Sequence, residues 1–454
     1  MKIELCLLMN TPISNRNLGF DKAGRRPLSS LFLSSVIMMK IGALFVLLAL
    51  PVAAMAQGPA ATEAPSGVPN AEDRIKSLED RIEKLESAPA KASISSFNPA
   101  MGMALDTVFR NTSDKATFDF RAAELNLEAA ADPFVKVFAI ITGSPGGVEV
   151  EEAAAQTTAL PYNLTARAGR VFAPFGRFSA WHDHELPMVY RPNSLATYVG
   201  NESHADGLDV NYLFPTPFYL EGYVGAYNKL GANNNRADFG VGRPLDQFTY
   251  LGRLHGYTDL GNSWGADLGT SIVWTPKRQV VSTVDGSGLP LNRSFRTLAG
   301  VDLTLRYQPS VGGLYHGIMW TTEVLQNNEQ AYASDLSAPV GRAHSYAGYS
   351  NIETKLGRVT RVGGFVDLTE LPGDRAKVSK TFAGYLTFEI TEFNRLRLEY
   401  SRTVNNFRDA VTGIAGTDFG SGDLYALRAG HMIALQWSCV IGYHVHGFRG
   451  RWGT

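Results

Sequence analysis

Two pairs of histidines are the residues of this sequence best suited to chemistry. In each pair the imidazoles stand two positions apart, and the first pair has carboxylates beside it. Residues i and i+2 of an extended chain point to the same side, and imidazole with carboxylate suits zinc or another borderline cation. The favoured alternative is a polar loop whose histidines meet backbone or water. The metal candidates are His182, Asp183, His184, Glu185, His444 and His446.

A second group of charged residues alternates with apolar residues along extended stretches. Rings of arginine inside a pore can select anions. Carboxylates are interleaved with these arginines, so a mixed lining held together by salt bridges is the favoured alternative. The candidates for a pore lining are Arg167, Arg306, Arg361, Arg395, Arg397, Glu389, Glu399 and Asp302.

Motifs of nucleophilic or phosphate chemistry are missing from the sequence. It contains no Gly-x-Ser-x-Gly elbow, no phosphate-binding loop and no metalloprotease helix motif. We therefore predict that the chain is not an enzyme and has no cofactor, with zinc as the one candidate ion.

The elements that position these residues are predicted to be β-strands. From 264 to 274, every second residue falls on a mostly apolar face with a tryptophan at each end, and eleven tilted residues span a bilayer core. Aromatic rings at both ends of an apolar face are typical of the two headgroup levels of a membrane. The predicted girdle residues are Trp264, Trp274, Tyr307 and Tyr400.

The opposite faces of several such strands are charged, as at Arg395, Arg397 and Glu399. In a membrane barrel lipid takes the apolar side and a wet lumen takes the ions. The predicted fold is all-β: a transmembrane antiparallel up-and-down β-barrel of about 16 strands (range about 12–18), preceded by a short coiled-coil helix. The predicted strands are 102–109, 118–128, 134–141, 148–158, 164–171, 206–214, 218–227, 249–257, 264–274, 297–307, 317–326, 346–354, 359–367, 382–390, 394–403 and 424–437, with long loops at 172–205, 228–248, 275–296, 327–345 and 404–423.

The first hundred residues divide into export and spacer segments. A lead-in and a secretory signal with a small-residue cleavage site occupy 1–56, and an Ala/Pro/Gly-rich linker follows at 57–70. Residues 71–88 carry a short heptad pattern, with a solitary amphipathic helix as the alternative. Charged heptad positions within 74–86 predict a homo-oligomer, either dimer or trimer. The barrel is predicted at 97–448, with an atypical tail at 449–454.

Charge and cysteine content restrict the partners. Without residues 1–56, 36 Lys and Arg face 41 Asp and Glu, a net charge of −5. This balance argues against nucleic acid as a partner. Of the two cysteines, Cys6 lies in the predicted leader, so Cys439 has no partner for an internal disulfide.

A resemblance to a known group of proteins rests on residues 97–214. Residues 164–177 (LTARAGRVFAPFGR) and 181–190 (WHDHELPMVY) resemble a group of porin-like outer-membrane proteins of proteobacteria often called zinc-regulated. The Gly-Arg-x-Phe-x-x-Phe-Gly pattern is also similar to the phosphate-selective porins. The looser label of a TonB-dependent receptor implies 22 strands and a plug, for which the chain is too short.

These observations together predict a porin-like channel of the Gram-negative outer membrane for passive or substrate-selective diffusion of small polar solutes. Its partners would be outer-membrane lipid and the solute. The alternatives are a metal-binding outer-membrane receptor or transporter and, less favoured, a non-conducting structural or lipid-modifying barrel.

Overall fold

The computed structural model describes residues 76, 99–113, 115–231, 244–277, 295–332, 339–372, 374–407 and 430–442. The predicted leader, linker, coiled coil and tail therefore lie outside the described residues, apart from Lys76, as do His444 and His446. In the described part of the chain, no helix is long and apolar enough to cross a membrane.

Sixteen antiparallel strands form one closed barrel in the described residues, each hydrogen-bonded to its neighbours in the sequence. This confirms the predicted barrel and strand number, and every predicted strand overlaps an observed one. The strands are β1 Ala100–Thr112, β2 Ala116–Ala130, β3 Val135–Ser144, β4 Gly147–Thr157, β5 Leu164–Phe172, β6 His204–Leu213, β7 Tyr219–Tyr227, β8 Thr249–Asp259, β9 Trp264–Thr275, β10 Arg296–Tyr307, β11 His316–Tyr332, β12 Pro339–Leu356, β13 Thr360–Leu371, β14 Asp374–Glu389, β15 Asn394–Asn405 and β16 Gly430–Gly442.

The barrel closes by pairing its first strand with its last. β1 and β16 run antiparallel from Gly102 opposite Gly442 to Thr112 opposite Met432. Closure leaves no unpaired strand edge, and this matters because each unsatisfied backbone group in hydrocarbon costs several kcal/mol.

The outward face carries the large apolar side chains. Leu268 and Ile272 on β9 are 55% and 52% exposed, whereas their neighbours Asp267 and Val273 are 7% and 0% exposed. Val301, Leu398 and Tyr400 also project outward. The predicted assignment of apolar residues to the outside and charged residues to the inside is therefore correct.

Connections at one end of the barrel are all short, whereas the other end combines short connections with long ones. Those that follow even-numbered strands contain three to eight residues, whereas the connection from β5 to β6 spans 173–203 and that from β7 to β8 spans 228–248. The predicted loop at 327–345 is wrong, because β11 and β12 extend through most of it and leave only 333–338 between them.

The last strand also differs from its prediction. The sequence pattern placed it at 424–437, but β16 runs from Gly430 to Gly442. Its apolar positions continue outward past Trp437 to Ile441, which is 53% exposed. The end of β16 is therefore set by its pairing with β1 and not by an aromatic residue at the membrane interface.

Candidate functional site

The connection between β5 and β6, residues 173–203, lies inside the barrel, and we call it the inner loop. It contains a 3-10 turn at Asp183–Glu185 and a short helix, α1, at Asn193–Tyr198. All six residues of α1 are buried. The inner loop is the segment that the sequence predicted as a long loop at 172–205.

Apolar residues of the inner loop explain its inward path. Phe175, Phe178 and Leu195 are fully buried and pack in one cluster with inward wall residues such as Val273 and Leu298. Burying such a side chain contributes about 1.5–3 kcal/mol. The lumen is thus apolar where the inner loop packs, and the predicted wet lumen lined by charged residues describes only the rest of the inward face.

Three wall carboxylates accept hydrogen bonds from backbone N–H groups of the inner loop, and we call them the carboxylate anchors. Glu323 on β11 accepts from Arg177 N at 3.1 Å. Asp367 on β13 accepts from Ser194 N at 2.9 Å. Glu399 on β15 accepts from Val189 N at 2.7 Å. Hydrogen bonds to charged acceptors are worth about 1.5–3 kcal/mol each.

Three wall arginines donate to carbonyls of the inner loop in the same way. Arg121 Nη1 on β2 reaches Val189 O at 2.8 Å, and Arg397 Nη1 on β15 reaches Met188 O at 2.9 Å. Arg296 Nη2 on β10 reaches Tyr198 O at 2.8 Å. The inner loop is therefore held by its main chain to strands on several sides of the barrel.

Near β2 and β4 the inner loop also contacts the wall through its own side chains. His182 Nδ1 lies 2.9 Å from Glu151 Oε2 and 3.9 Å from Glu124 Oε2, while its Nε2 lies 3.9 Å from Glu152 Oε2. His184 Nδ1 lies 3.0 Å from Glu124 Oε1. We call these residues the histidine cluster: Glu124, Glu151, Glu152, His182 and His184.

Two irregularities in strand pairing shape this side of the wall. The register of β1 with β2 shifts so that Arg121 has no partner residue, and that of β3 with β4 shifts at Glu151. A β-bulge of this kind re-aims side chains. Glu151 and Glu152, although consecutive, are therefore both buried on the inside.

The histidines of the inner loop are buried among negative charge. Burial by itself disfavours the charged imidazolium, but the surrounding carboxylates, Glu124 foremost, outweigh it and raise the pKa of His182 well above its ordinary value. Burial also lowers the pKa of His184, but the negative charge of Glu124 outweighs it, so the pKa of His184 is raised.

Asp183, between the two histidines, belongs to a different group of charges. Its carboxylate pairs with Arg121 and with Arg191, the latter at 3.0 Å. Burial would raise the pKa of Asp183, but these two guanidinium groups outweigh it and lower that pKa.

The structure therefore brings together only part of the predicted metal set. His182 and His184 join wall carboxylates, Asp183 pairs with arginines, and Glu185 accepts a hydrogen bond from His182 N at 3.1 Å. Sequence reasoning missed Glu124, Glu151 and Glu152. A signal existed in the double Glu at 151–152, which interrupts the alternation of Val148 and Val150.

The predicted lining residues face inward, and most of them are paired. Arg167 forms two hydrogen bonds with Asp209, and Arg253 pairs with Asp302 at 2.7 Å. Arg361 pairs with Glu389 at 2.7 Å. These ion pairs form a mixed lining held together by salt bridges, the alternative to rings of arginine that the sequence predicted. Arg395 and Arg397 are buried, and Glu399 accepts a hydrogen bond from the inner loop. Arg306 lines a cavity of about 600 Å³ near the short turns.

The predicted girdle residues lie on the outward face. Trp264, Trp274 and Tyr400 are 46%, 50% and 47% exposed. Trp264 contacts the half-buried Tyr307, with ring centroids 5.0 Å apart.

Comparison with known proteins supports the fold. No protein-family model matches the chain. A curated relative from Aquifex aeolicus (strain VF5), described as an uncharacterized protein, is 28% identical over 307 residues, covering 63% of this chain and 64% of that one. The match thus spans less than two thirds of the relative's length.

Solved structures of outer-membrane porins have a similar fold. OprB of Pseudomonas putida superposes with a TM-score of 0.50 at 10% identity, covering 76% of this chain and 94% of that one. The anion-selective porin from Comamonas acidovorans gives 0.48 at 11% identity, covering 76% and 99%. By its fold, the molecule is a porin-like β-barrel.

Proposed function

We propose that this chain is a porin-like channel of the Gram-negative outer membrane. Small polar solutes would diffuse through its lumen, which the inner loop narrows. The proposal is supported most by one observation: a closed barrel of 16 strands carries apolar residues outside, paired charges inside and a long connection folded into its interior. A barrel of this strand number is wide enough for an aqueous channel.

The paired charges favour general passage of polar solutes over selection of one ion. Arginines that face carboxylates at 2.7 to 3.0 Å present little net charge to a passing solute. Short turns are periplasmic in such barrels. The end that bears the inner loop would therefore face outward from the cell, with residues 1–56 removed on export and 74–86 joining copies of the chain.

One observation favours a second candidate, a barrel that does not conduct at rest. The inner loop bonds to β2 on one side and to β11 and β13 on another, so it crosses the lumen. Both candidates share the membrane location and differ in resting conductance.

Planar-bilayer recording distinguishes these two candidates. The full chain, refolded in detergent and added to a bilayer, is expected to give discrete conductance steps that are small for a 16-stranded barrel. Traces without steps would support the non-conducting barrel and contradict the channel.

Insertion into lipid has a separate test in Leu268→Arg. Leu268 lies in the middle of β9 on the outward face, where an arginine at the bilayer midplane costs about 2–4 kcal/mol. Trp264→Arg, at the end of the same face, is the matched control and is expected to cost about 0–1 kcal/mol. Equal losses of folding free energy in liposomes would argue against a lipid-facing belt.

A further inference from the structure

The histidine cluster holds three side chains whose ligand atoms lie close together. One ligand atom each from Glu124, Glu151 and His182 lies within 4.8 Å of the other two. All three residues are buried, at 4%, 8% and 1% exposure. Bonds of about 2.0 Å to a tetrahedral ion place its ligands about 3.3 Å apart, so a small inward shift of the side chains would bring these atoms onto one ion.

Glu151 and His182 form a close ion-pair contact whose hydrogen-bond angle is poor. Among the described residues, Glu151 Oε2 is buried and accepts no hydrogen bond of acceptable angle, although His182 Nδ1 lies 2.9 Å away. When the His182 ring is neutral, its lone pair and the Glu151 carboxylate at this distance are both stabilised by a cation bound to the two of them.

Neighbouring residues orient the three side chains. His184 Nδ1 contacts Glu124 Oε1 at 3.0 Å, which leaves Oε2 of Glu124 on the side of His182. Phe172 N donates to Glu152 Oε1 at 2.8 Å, and the Phe172 ring packs on His182 with centroids 4.6 Å apart. Partners of this kind fix the direction of metal ligands.

Charge in the histidine cluster also favours a cation. The barrel wall contributes Glu124, Glu151 and Glu152, whereas Arg121 and Arg191 pair with Asp183. Three buried carboxylates beside two imidazoles carry three negative charges when both imidazoles are neutral, and one negative charge in excess even when both are protonated. A divalent ion would reduce the excess from three negative charges to one while both imidazoles stay neutral.

We infer that Glu124, Glu151 and His182 form a binding site for one divalent transition cation, with zinc as the probe ion. One imidazole nitrogen with two carboxylates suits zinc and its neighbours in the first row, whereas magnesium and calcium prefer oxygen ligands alone. The site joins the inner loop to β2 and β4. It does not depend on whether the barrel conducts, because binding is measured on protein in micelles.

Isothermal calorimetry with ZnCl₂ tests this site in the refolded full chain. We expect one zinc ion per chain, with binding weakened about tenfold or more by Glu151→Gln. Glu149→Gln, on the same strand but exposed, and His316→Ala, an exposed histidine on β11, are matched controls that should bind like the wild type. Refolding of each variant is checked by circular dichroism.

Two further measurements make the result decisive. X-ray absorption of the zinc-loaded chain should show nitrogen and oxygen ligands that include imidazole, and a hundredfold excess of magnesium should not displace the ion. Unchanged zinc binding in Glu151→Gln, an equal loss in Glu149→Gln, or displacement by magnesium would overturn the site. The cluster would then be a salt-bridged group of protonated histidines or a general acidic patch.

Discussion

The inner loop is held in two different ways on two sides of the barrel. Toward β11, β13 and β15, wall carboxylates accept hydrogen bonds from its backbone N–H groups. Toward β2 and β4, wall carboxylates meet the side chains of His182 and His184. The first kind of attachment fixes the path of the main chain whatever the side chains are. The second depends on residue identity and can respond to what is bound.

The largest effect is expected from removing the three carboxylate anchors of the inner loop. The triple variant Glu323→Ala, Asp367→Ala and Glu399→Ala loses three charge-assisted hydrogen bonds, about 1.5–3 kcal/mol each. The inner loop should leave its position, and conductance in planar bilayers should rise several-fold. Glu389→Ala, which removes a carboxylate paired with Arg361, is the control. A triple variant that conducts like this control would refute main-chain anchoring.

A smaller effect is expected from Gly176→Ala. Gly176 has a φ of +61°, and a Cβ there would overlap the carboxylate of Glu323. Overpacking of this kind costs about 1–3 kcal/mol. Gly261→Ala is the matched control, since Gly261 has a φ of +81° and nothing within 4 Å of its Cβ position. Urea unfolding should therefore separate steric overlap from backbone strain. Equal losses of unfolding free energy in both variants would mean that the Glu323 side chain moves aside at no cost.

The smallest effect is expected from removing divalent cations from the wild type. The main-chain attachment remains in a chelator, so conductance should change less than in the triple variant. In the triple variant the wall arginines and the histidine cluster are the remaining polar attachments, so the histidine cluster carries a larger share and the same chelator should then change conductance clearly. If the chelator affected the wild type as strongly as the triple variant, the two attachments would not be independent.

Regular strands could be predicted from the sequence, because alternation reports directly which face meets an apolar medium. β9 and β15 show this, with apolar residues outside and Asp267 or Arg397 inside. The pattern failed where both faces are polar. Residues 327–332 (NNEQAY) continue β11 without an apolar face, so alternation could not reveal them as strand.

The site was only partly predictable for a different physical reason. The spacing of His182 and His184 suggested ligands, but their partners come from β2 and β4, where bulges decide which side chains turn inward. In β2 the outward apolar positions change from Phe118 and Phe120 to Ala123 and Leu125, a spacing of three where two is regular. That change marks the bulge at Arg121. Contacts between segments distant in the sequence, such as Glu399 with Val189, left no local pattern.

Unequal strand lengths give the barrel a rim of uneven height. The hairpin of β11 and β12 contains strands of 17 and 18 residues, whereas β3 and β4 contain 10 and 11. At about 3.4 Å per residue, Glu151 lies only about 13 Å along its strand from the rim, and Glu323 lies about 30 Å from it. An ion that enters at the end bearing the inner loop would therefore reach the histidine cluster close to the rim. The main-chain attachment at Glu323 lies much deeper in the barrel.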